Sequence, residues 1–173
     1  TIAGIFEVHK KYGSLPMNEI VEPVIALAEK GVIITKFQAE SLNNNREFFT
    51  KINGRNSLFS KVYKENDTIK YTALAATLKR IAKNGRDEFY KGETAQKLVD
   101  FLAKKGGIAT MEDLNSYKAK WRTPITFQYK NLKITSMSPP SSGGICLNQI
   151  MKMIEPFNLS QMGHNSLKTI QVI

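Results

Sequence analysis

Residues 138–144 read Ser-Pro-Pro-Ser-Ser-Gly-Gly, and they stand where the hydrophobic pattern passes from a strand period of about two to a helix period of about 3.6. Pro139 and Pro140 fix φ and remove two backbone donors, so a strand arriving from the N-terminal side must stop there. Ser141 and Ser142 then offer side-chain oxygens to the free N–H groups of a following helix. Gly143 and Gly144 permit positive φ or a close backbone approach. A segment this stiff at one end and this permissive at the other is built to hold a shape.

On either side of that loop the two periods are easy to follow. Ile125, Phe127 and Tyr129 alternate with Thr126 and Gln128, Lys130-Asn131 makes a two-residue turn, and Leu132, Ile134 and Ser136 continue on a return strand. Such a hairpin is marginal alone in water, so residues 124–137 are expected to belong to a larger sheet. After the loop, Ile145, Ile150, Met151 and Ile154 form the apolar side of a helix over about 144–155 that ends near Pro156. Ser141 or Ser142 is expected to cap it, with Gly143 or Gly144 in a backbone conformation poorly open to other residues.

Most of the preceding chain reads as helix. Ile2 to Tyr12 is short and stops at Gly13. Asn18 to Lys30 places Ile20, Val24, Leu27 and Ala28 on one face, stops at Gly31, and contains Pro23, where it either bends or starts its regular part. Thr35 to Ile52 reads as one polar helix anchored by Phe37, Leu42, Phe48 and Phe49, and residues 53–70 as turn-rich and polar. Leu74, Leu78, Ile81 and Ala82 form a stripe closed by Asn84-Gly85. Ala95, Leu98, Val99 and Leu102 form another, closed by Gly106-Gly107. Thr110 to Asp113 resembles a capping box opening a short helix to Tyr117. No repeat or linker divides the chain, and the pattern describes one mainly helical unit with a late β-hairpin.

Composition narrows the function classes. The 173 residues suffice for one domain with a real core, and 42% apolar with 23% charged residues is the balance of a globular protein. No apolar run approaches the roughly 18 residues of a membrane span, and no signal peptide is visible. The net charge of +10 raises a nucleic-acid reading, but the 25 Lys and Arg residues stand singly or in pairs and no nucleic-acid motif accompanies them. Solvated helix faces account for them, as would a phosphate-binding surface or an acidic partner segment. The first residue is Thr1, and Leu167 to Ile173 break off inside an apolar-periodic run, so both ends are expected to be cut.

Candidate chemistry is sparse. Ser141 and Ser142 lack the Gly-x-Ser-x-Gly frame of a nucleophile elbow, and no Lys follows Gly144 as a phosphate loop requires. They read as a serine cap and glycine nest, or as a loop whose free N–H groups bound an anionic pocket. Cys146, in Ile145-Cys146-Leu147, reads as a buried thiol acting as a small hydrophobe; as a nucleophile it would need a base that its sequence neighbours do not supply. His9 and His164 have no ligand partners at metal spacing. Asp87-Glu88 and Glu112-Asp113 sit at helix starts, where they suit the helix dipole. Trp121 and Tyr117 are expected to cover the hairpin's apolar face.

Several ordered segments together resemble the large-subunit portion of γ-glutamyltranspeptidases. They are Ala3-Gly4, Lys11-Tyr12-Gly13 with Leu15-Pro16, Glu22-Pro23 with Ala26-Leu27-Ala28, and Asn84-Gly85-Arg86-Asp87-Glu88-Phe89-Tyr90-Lys91-Gly92. Gly106 to Leu114 with Tyr117, Arg122-Thr123-Pro124, and Ser136 to Gly144 complete the set. Ser138 stands where the family usually has a third proline. The resemblance implies a piece of the four-layer α/β/β/α fold of N-terminal-nucleophile hydrolases, made as a self-cleaving precursor. The freed threonine, with its own amine as base, transfers the γ-glutamyl group of glutathione and related amides to water or an acceptor. It further implies that the Thr-Thr-His segment lies downstream of this chain, that the arginine for the substrate's α-carboxylate lies upstream, and that the pocket serines and glycines belong to the small subunit. On that reading no residue here is catalytic, substrate-binding or metal-ligating, and no cofactor is called for. The partners are the remaining large-subunit segment, the small subunit and glutathione-like molecules, in a periplasmic or extracellular setting. A non-catalytic helical binding module on the same scaffold is the alternative.

Overall fold

The computed structural model describes all residues, Thr1–Ile173, as two compact units, Thr1–Ala119 and Lys120–Ile173. The first unit is helical. Its elements are α1 (Ile2–Tyr12), α2 (Met17–Lys30), β1 (Val32–Ile33), α3 (Lys36–Asn44), α4 (Arg46–Asn53), a 3₁₀ turn at Leu58–Ser60, β2 (Thr68–Ile69), α5 (Thr72–Asn84), α6 (Arg86–Tyr90), α7 (Glu93–Lys104) and α8 (Met111–Ser116). The second holds β3 (Ile125–Tyr129), β4 (Leu132–Ser136), α9 (Gly143–Ile154), a 3₁₀ turn at Leu159–Gln161 and α10 (Leu167–Val172). No helix is long and apolar enough to cross a membrane.

In the first unit α2 packs on α5 through small residues. Ile25, Ala28 and Ala75 are buried together, with Val21, Leu78 and Ala82 around them, and the alanines let the two helices approach closely. The buried stripe of α2 is therefore turned away from the expected one: Ile20, Val24 and Leu27 are exposed. Both stripes are apolar at helical spacing, and only the position of α5 selects between them. Pro23 lies inside α2, which runs through it. Gly31 ends α2 at φ 95°, and a Cβ there would press on the Thr68 side chain and the Ile69 carbonyl, so it serves both the turn and the arrival of β2.

Residues 35–52 form two helices, not one. Thr35 caps α3 reciprocally with Gln38, but Asn45 leaves helical geometry (φ −97°, ψ 3°) and its amide donates to the Ser41 carbonyl (2.8 Å). Phe37 and Phe48 are correspondingly exposed, Phe37 at 78%, whereas Phe49 packs on Phe59, which contacts Tyr71. The turn-rich stretch before residue 70 contains a strand unforeseen from its polarity: β2 pairs antiparallel with β1, Val32 opposite Ile69 and Ile33 opposite Thr68. This pairing buries Ile34, Ala39, Tyr63 and Ile69 as a second cluster, which shares Tyr71 with the first.

One buried charge organises the helices after α5. Glu88 is 5% exposed and sits, as expected, in the first turn of α6, where it is buried rather than solvated. Its Oε1 accepts from Arg80 Nε (2.9 Å), the Thr94 hydroxyl (2.8 Å) and the Thr94 backbone N–H (3.1 Å), and Oε2 accepts from Asn84 (3.3 Å). The carboxylate thereby joins α5 and α6 and satisfies an orphan donor in the first turn of α7. Burial alone would raise its pKa, but the hydrogen bonds from Thr94, Arg80 and Asn84 outweigh it and hold the carboxyl below its ordinary range. Nearby, Tyr90 donates its place to three partners: its hydroxyl accepts from Ala3 N–H (3.2 Å), Arg86 lies over its ring (4.4 Å), and Tyr117 stacks on it (5.5 Å). Tyr117 is thus engaged within the first unit. Trp121 is 55% exposed.

In the second unit β3 and β4 pair antiparallel, from Ile125 opposite Ser136 to Tyr129 opposite Leu132, with Lys130 at φ 51° in the turn. Glu155 holds that turn by accepting from Lys130 N–H (2.9 Å). α9 packs on both strands, and Gly144 is its contact point. Neither Gly143 nor Gly144 has positive φ; the expected strained backbone is absent. Gly144 is required by proximity, because a Cβ there would collide with the Met137 carbonyl and press on Ile125 at 3.2–3.3 Å. That rotation of α9 leaves Ile145, Cys146 and Ile150 exposed. Cys146 is accordingly a surface thiol and not the buried one its apolar neighbours suggested.

Two stability outcomes follow. Because the folded pKa of Glu88 is lowered, its contribution is present above the ordinary value of 4.5 and is lost as the pH falls through the lowered one. Glu88→Gln is expected to depress the melting temperature most at neutral pH, and the gap from wild type should close in acid; a gap independent of pH refutes the network. Gly144→Ala should cost about 1–3 kcal/mol in chemical denaturation, the scale of overpacking. Gly143→Ala, whose Cβ would meet only Ser141 Oγ at 3.4 Å, should be near neutral.

Candidate functional site

The second unit carries a cleft of about 700 Å³ against the Pro-Pro-Ser-Ser loop. One wall is the incoming segment, with Lys120, Arg122 and Pro124; the other is the end of β4 and the loop, with Thr135, Ser136, Met137, Ser138, Pro140 and Ser141. The prolines stop β4 and stiffen the loop, so the hydroxyls of Ser136, Ser138 and Ser141 are presented from a fixed backbone. The Pro139–Pro140 peptide is cis, and Ser141 N–H donates to the Ser138 carbonyl (3.2 Å), closing the turn. Lys120 and Arg122 are exposed and form no ion pair or hydrogen bond, and no acidic side chain lines the cleft.

The residues singled out by sequence separate clearly. Ser142 occupies the N-cap position of α9 in αR geometry and makes no side-chain cap bond. Ser141 does that work one residue earlier, its Oγ accepting from Gly143 N–H (3.2 Å). Neither serine is hydrogen-bonded to a base, and neither is Cys146, which lies on the exposed side of α9. His9 donates from Nε2 to the Leu15 carbonyl (2.7 Å), which ties the end of α1 to the turn after it. No three His, Cys, Asp or Glu side chains are grouped to hold a metal ion, and His164 belongs to no such group.

The acidic pairs are structural. Asp87 pairs with Lys91 (3.0 Å) and Arg86 (2.9 Å), and these hydrogen bonds, that from Lys91 foremost, lower its pKa. Asp113 completes a capping box with Thr110 as expected, and Thr110's hydroxyl holds the Asp113 carboxyl below its usual range. Glu112 has no such partner and lies on the exposed side of α8. Lys120 and Arg122 escaped sequence analysis because they sit outside any helix or strand periodicity. As site residues they showed only a pair of cations two residues apart just before a hairpin, although Arg122 belongs to the Arg122-Thr123-Pro124 segment of the family resemblance.

The geometry supplies a cationic, hydroxyl-lined cleft and no nucleophile–base pair. Comparison with known proteins places this arrangement. The γ-glutamyltranspeptidase family model matches residues 1–173. The chain belongs to that family. It is 38% identical over its whole length to the glutathione hydrolase proenzyme of Escherichia coli strain K12, of which it covers 30%. An acylase ACY 1 proenzyme of Pseudomonas sp. strain SE83 is 27% identical over 99% of the chain, which again covers 31% of it. In the crystal structure of Helicobacter pylori γ-glutamyltranspeptidase, 50% of that chain superposes on 99% of this one with a TM-score of 0.93 and 40% identity. The chain thus spans about 30% of the length of the curated relatives it matches. The mainly helical fold with a late hairpin is the corresponding portion of an N-terminal-nucleophile hydrolase.

The loop geometry yields a specific expectation. Ser142→Ala should change stability by less than about 0.5 kcal/mol, as a surface substitution does. Ser141→Ala should cost about 0.5–1.5 kcal/mol for the lost bond to Gly143. Urea denaturation of the two variants distinguishes them, and a larger loss at Ser142 contradicts the assignment.

Proposed function

We propose that residues 1–173 form one partial domain of the large subunit of a self-cleaving γ-glutamyltranspeptidase precursor. The single observation that carries this is the superposition of 99% of the chain on a γ-glutamyltranspeptidase structure at 40% identity. The precursor's remaining large-subunit segment and its small subunit are then the chain's partners, and their strands extend the β3–β4 hairpin into a larger sheet.

In this reading a threonine outside the 173 residues is the nucleophile. Its hydroxyl attacks the γ-carbonyl of glutathione or a related amide, the α-amine takes the hydroxyl proton, and the leaving amine departs protonated. The γ-glutamyl ester then passes to water or to an acceptor amine. The contribution of residues 1–173 is positional: Glu88 locks α5 to α7, and Gly144 seats α9 on the hairpin, so the loop at 138–144 keeps one shape. The acylase relative carries a similar segment in a protein named as an acylase. The γ-glutamyl reading is favoured by higher identity and by the matching glutathione hydrolases. A binding module that shares only the scaffold has no such support.

Expression of a precursor carrying residues 1–173 tests the proposal. Cleavage into two chains and release of a chromogenic amine from a γ-glutamyl anilide are expected, with no release by residues 1–173 alone above a boiled control. A precursor that stays uncleaved and inactive would favour the binding module.

A further inference from the structure

We propose that the cleft beside the Pro-Pro-Ser-Ser loop binds the carboxylate of an amino acid or short peptide, with Arg122 and Lys120 as its cationic wall; for catalysis this rests on the γ-glutamyltranspeptidase reading above. Two observations carry it. The first is charge without compensation. Arg122 and Lys120 have no acidic partner in the second unit, whose one acidic residue, Glu155, pairs with Lys152 at 2.8 Å. The second is the composition of the opposite wall. Ser136, Ser138 and Ser141 present hydroxyls that donate to an anion, and Ser141 keeps its proton free because its oxygen is used as an acceptor by Gly143.

A carboxylate is the anion these groups fit. The planar guanidinium of Arg122 offers a two-pronged donor matched to two carboxylate oxygens, and Lys120 adds a point charge. Met137, Pro124 and Pro140 supply an apolar surface for the carbon skeleton of a small peptide. A volume of about 700 Å³ lies within the range of small-molecule sites. Because the loop is stiffened by consecutive prolines, little ordering cost accompanies binding. In the transfer reaction, the chemistry that brings a carboxylate here is the amino acid or dipeptide portion that leaves the γ-glutamyl group or accepts it.

Calorimetric titration of the 173-residue chain with glutathione should give a saturable heat of binding. Glutathione monoethyl ester, esterified at its glycine carboxylate, should bind about tenfold more weakly. Arg122→Gln with Lys120→Gln should abolish that difference, and Arg122→Lys should restore part of it, which separates lost recognition from misfolding. In the complete precursor the double variant should raise KM for glutathione about tenfold. It should leave KM for a γ-glutamyl anilide, which has no second carboxylate, within about twofold. Absence of a saturable signal, equal binding of acid and ester, or equal KM shifts for both donors overturns the proposal. An inactive wild-type precursor would sink the enzymatic reading alone, since the calorimetric titration still decides the cleft.

Discussion

The buried carboxylate of Glu88 is the interaction on which the first unit depends. Three helices converge on one pair of oxygens: α5 through Arg80 and Asn84, α6 through the residue itself, and α7 through the Thr94 backbone and hydroxyl. A buried charge is costly unless its lone pairs are filled, and here every donor is in place. The outcome is directional in a way that apolar packing is not. Ala28 against Ala75 would tolerate small rotations of the helices, whereas Arg80 Nε and Thr94 N–H must both reach the same Oε1. Arg86 extends this order outward by lying over Tyr90, on which Tyr117 stacks, and the Tyr117 carbonyl accepts from the same arginine.

The second unit depends on an absence of side chain. Gly144 lets the first turn of α9 come against the Met137 carbonyl and Ile125, and that approach sets which face of α9 meets the hairpin. It also sets where the loop wall stands relative to Lys120 and Arg122. A stiff loop, a close helix and two unpaired cations are therefore parts of one arrangement.

Much of this was legible in the chain itself. The hairpin, its Lys130-Asn131 turn, the capping box of Thr110 and Asp113, and the stops at Gly13, Gly31 and Gly85 follow from local rules: alternation, reciprocal side-chain caps and backbone freedom. The ordered segments from Ala3-Gly4 to Gly143-Gly144 were enough to name the family. The break at Asn45 was less visible, because a polar helix and two polar helices share a composition and differ only in one side chain's bond to Ser41.

What the amino-acid order determined by itself was most of the helices, the β3–β4 hairpin and the lineage, since caps, turns and periodicity act over a few residues. What only tertiary structure decided was which faces are inside and which groups meet. Val21 and Ile25 are covered while Ile20 and Val24 are not, because α5 lies on one side of α2. Cys146 is exposed because Gly144 turns α9 the other way. Glu88 is a buried clasp because Arg80 and Thr94 arrive from helices before and after it. Burial and charge pairing are properties of neighbours in space, and a helical stripe or an acidic pair carries no record of which neighbours those will be.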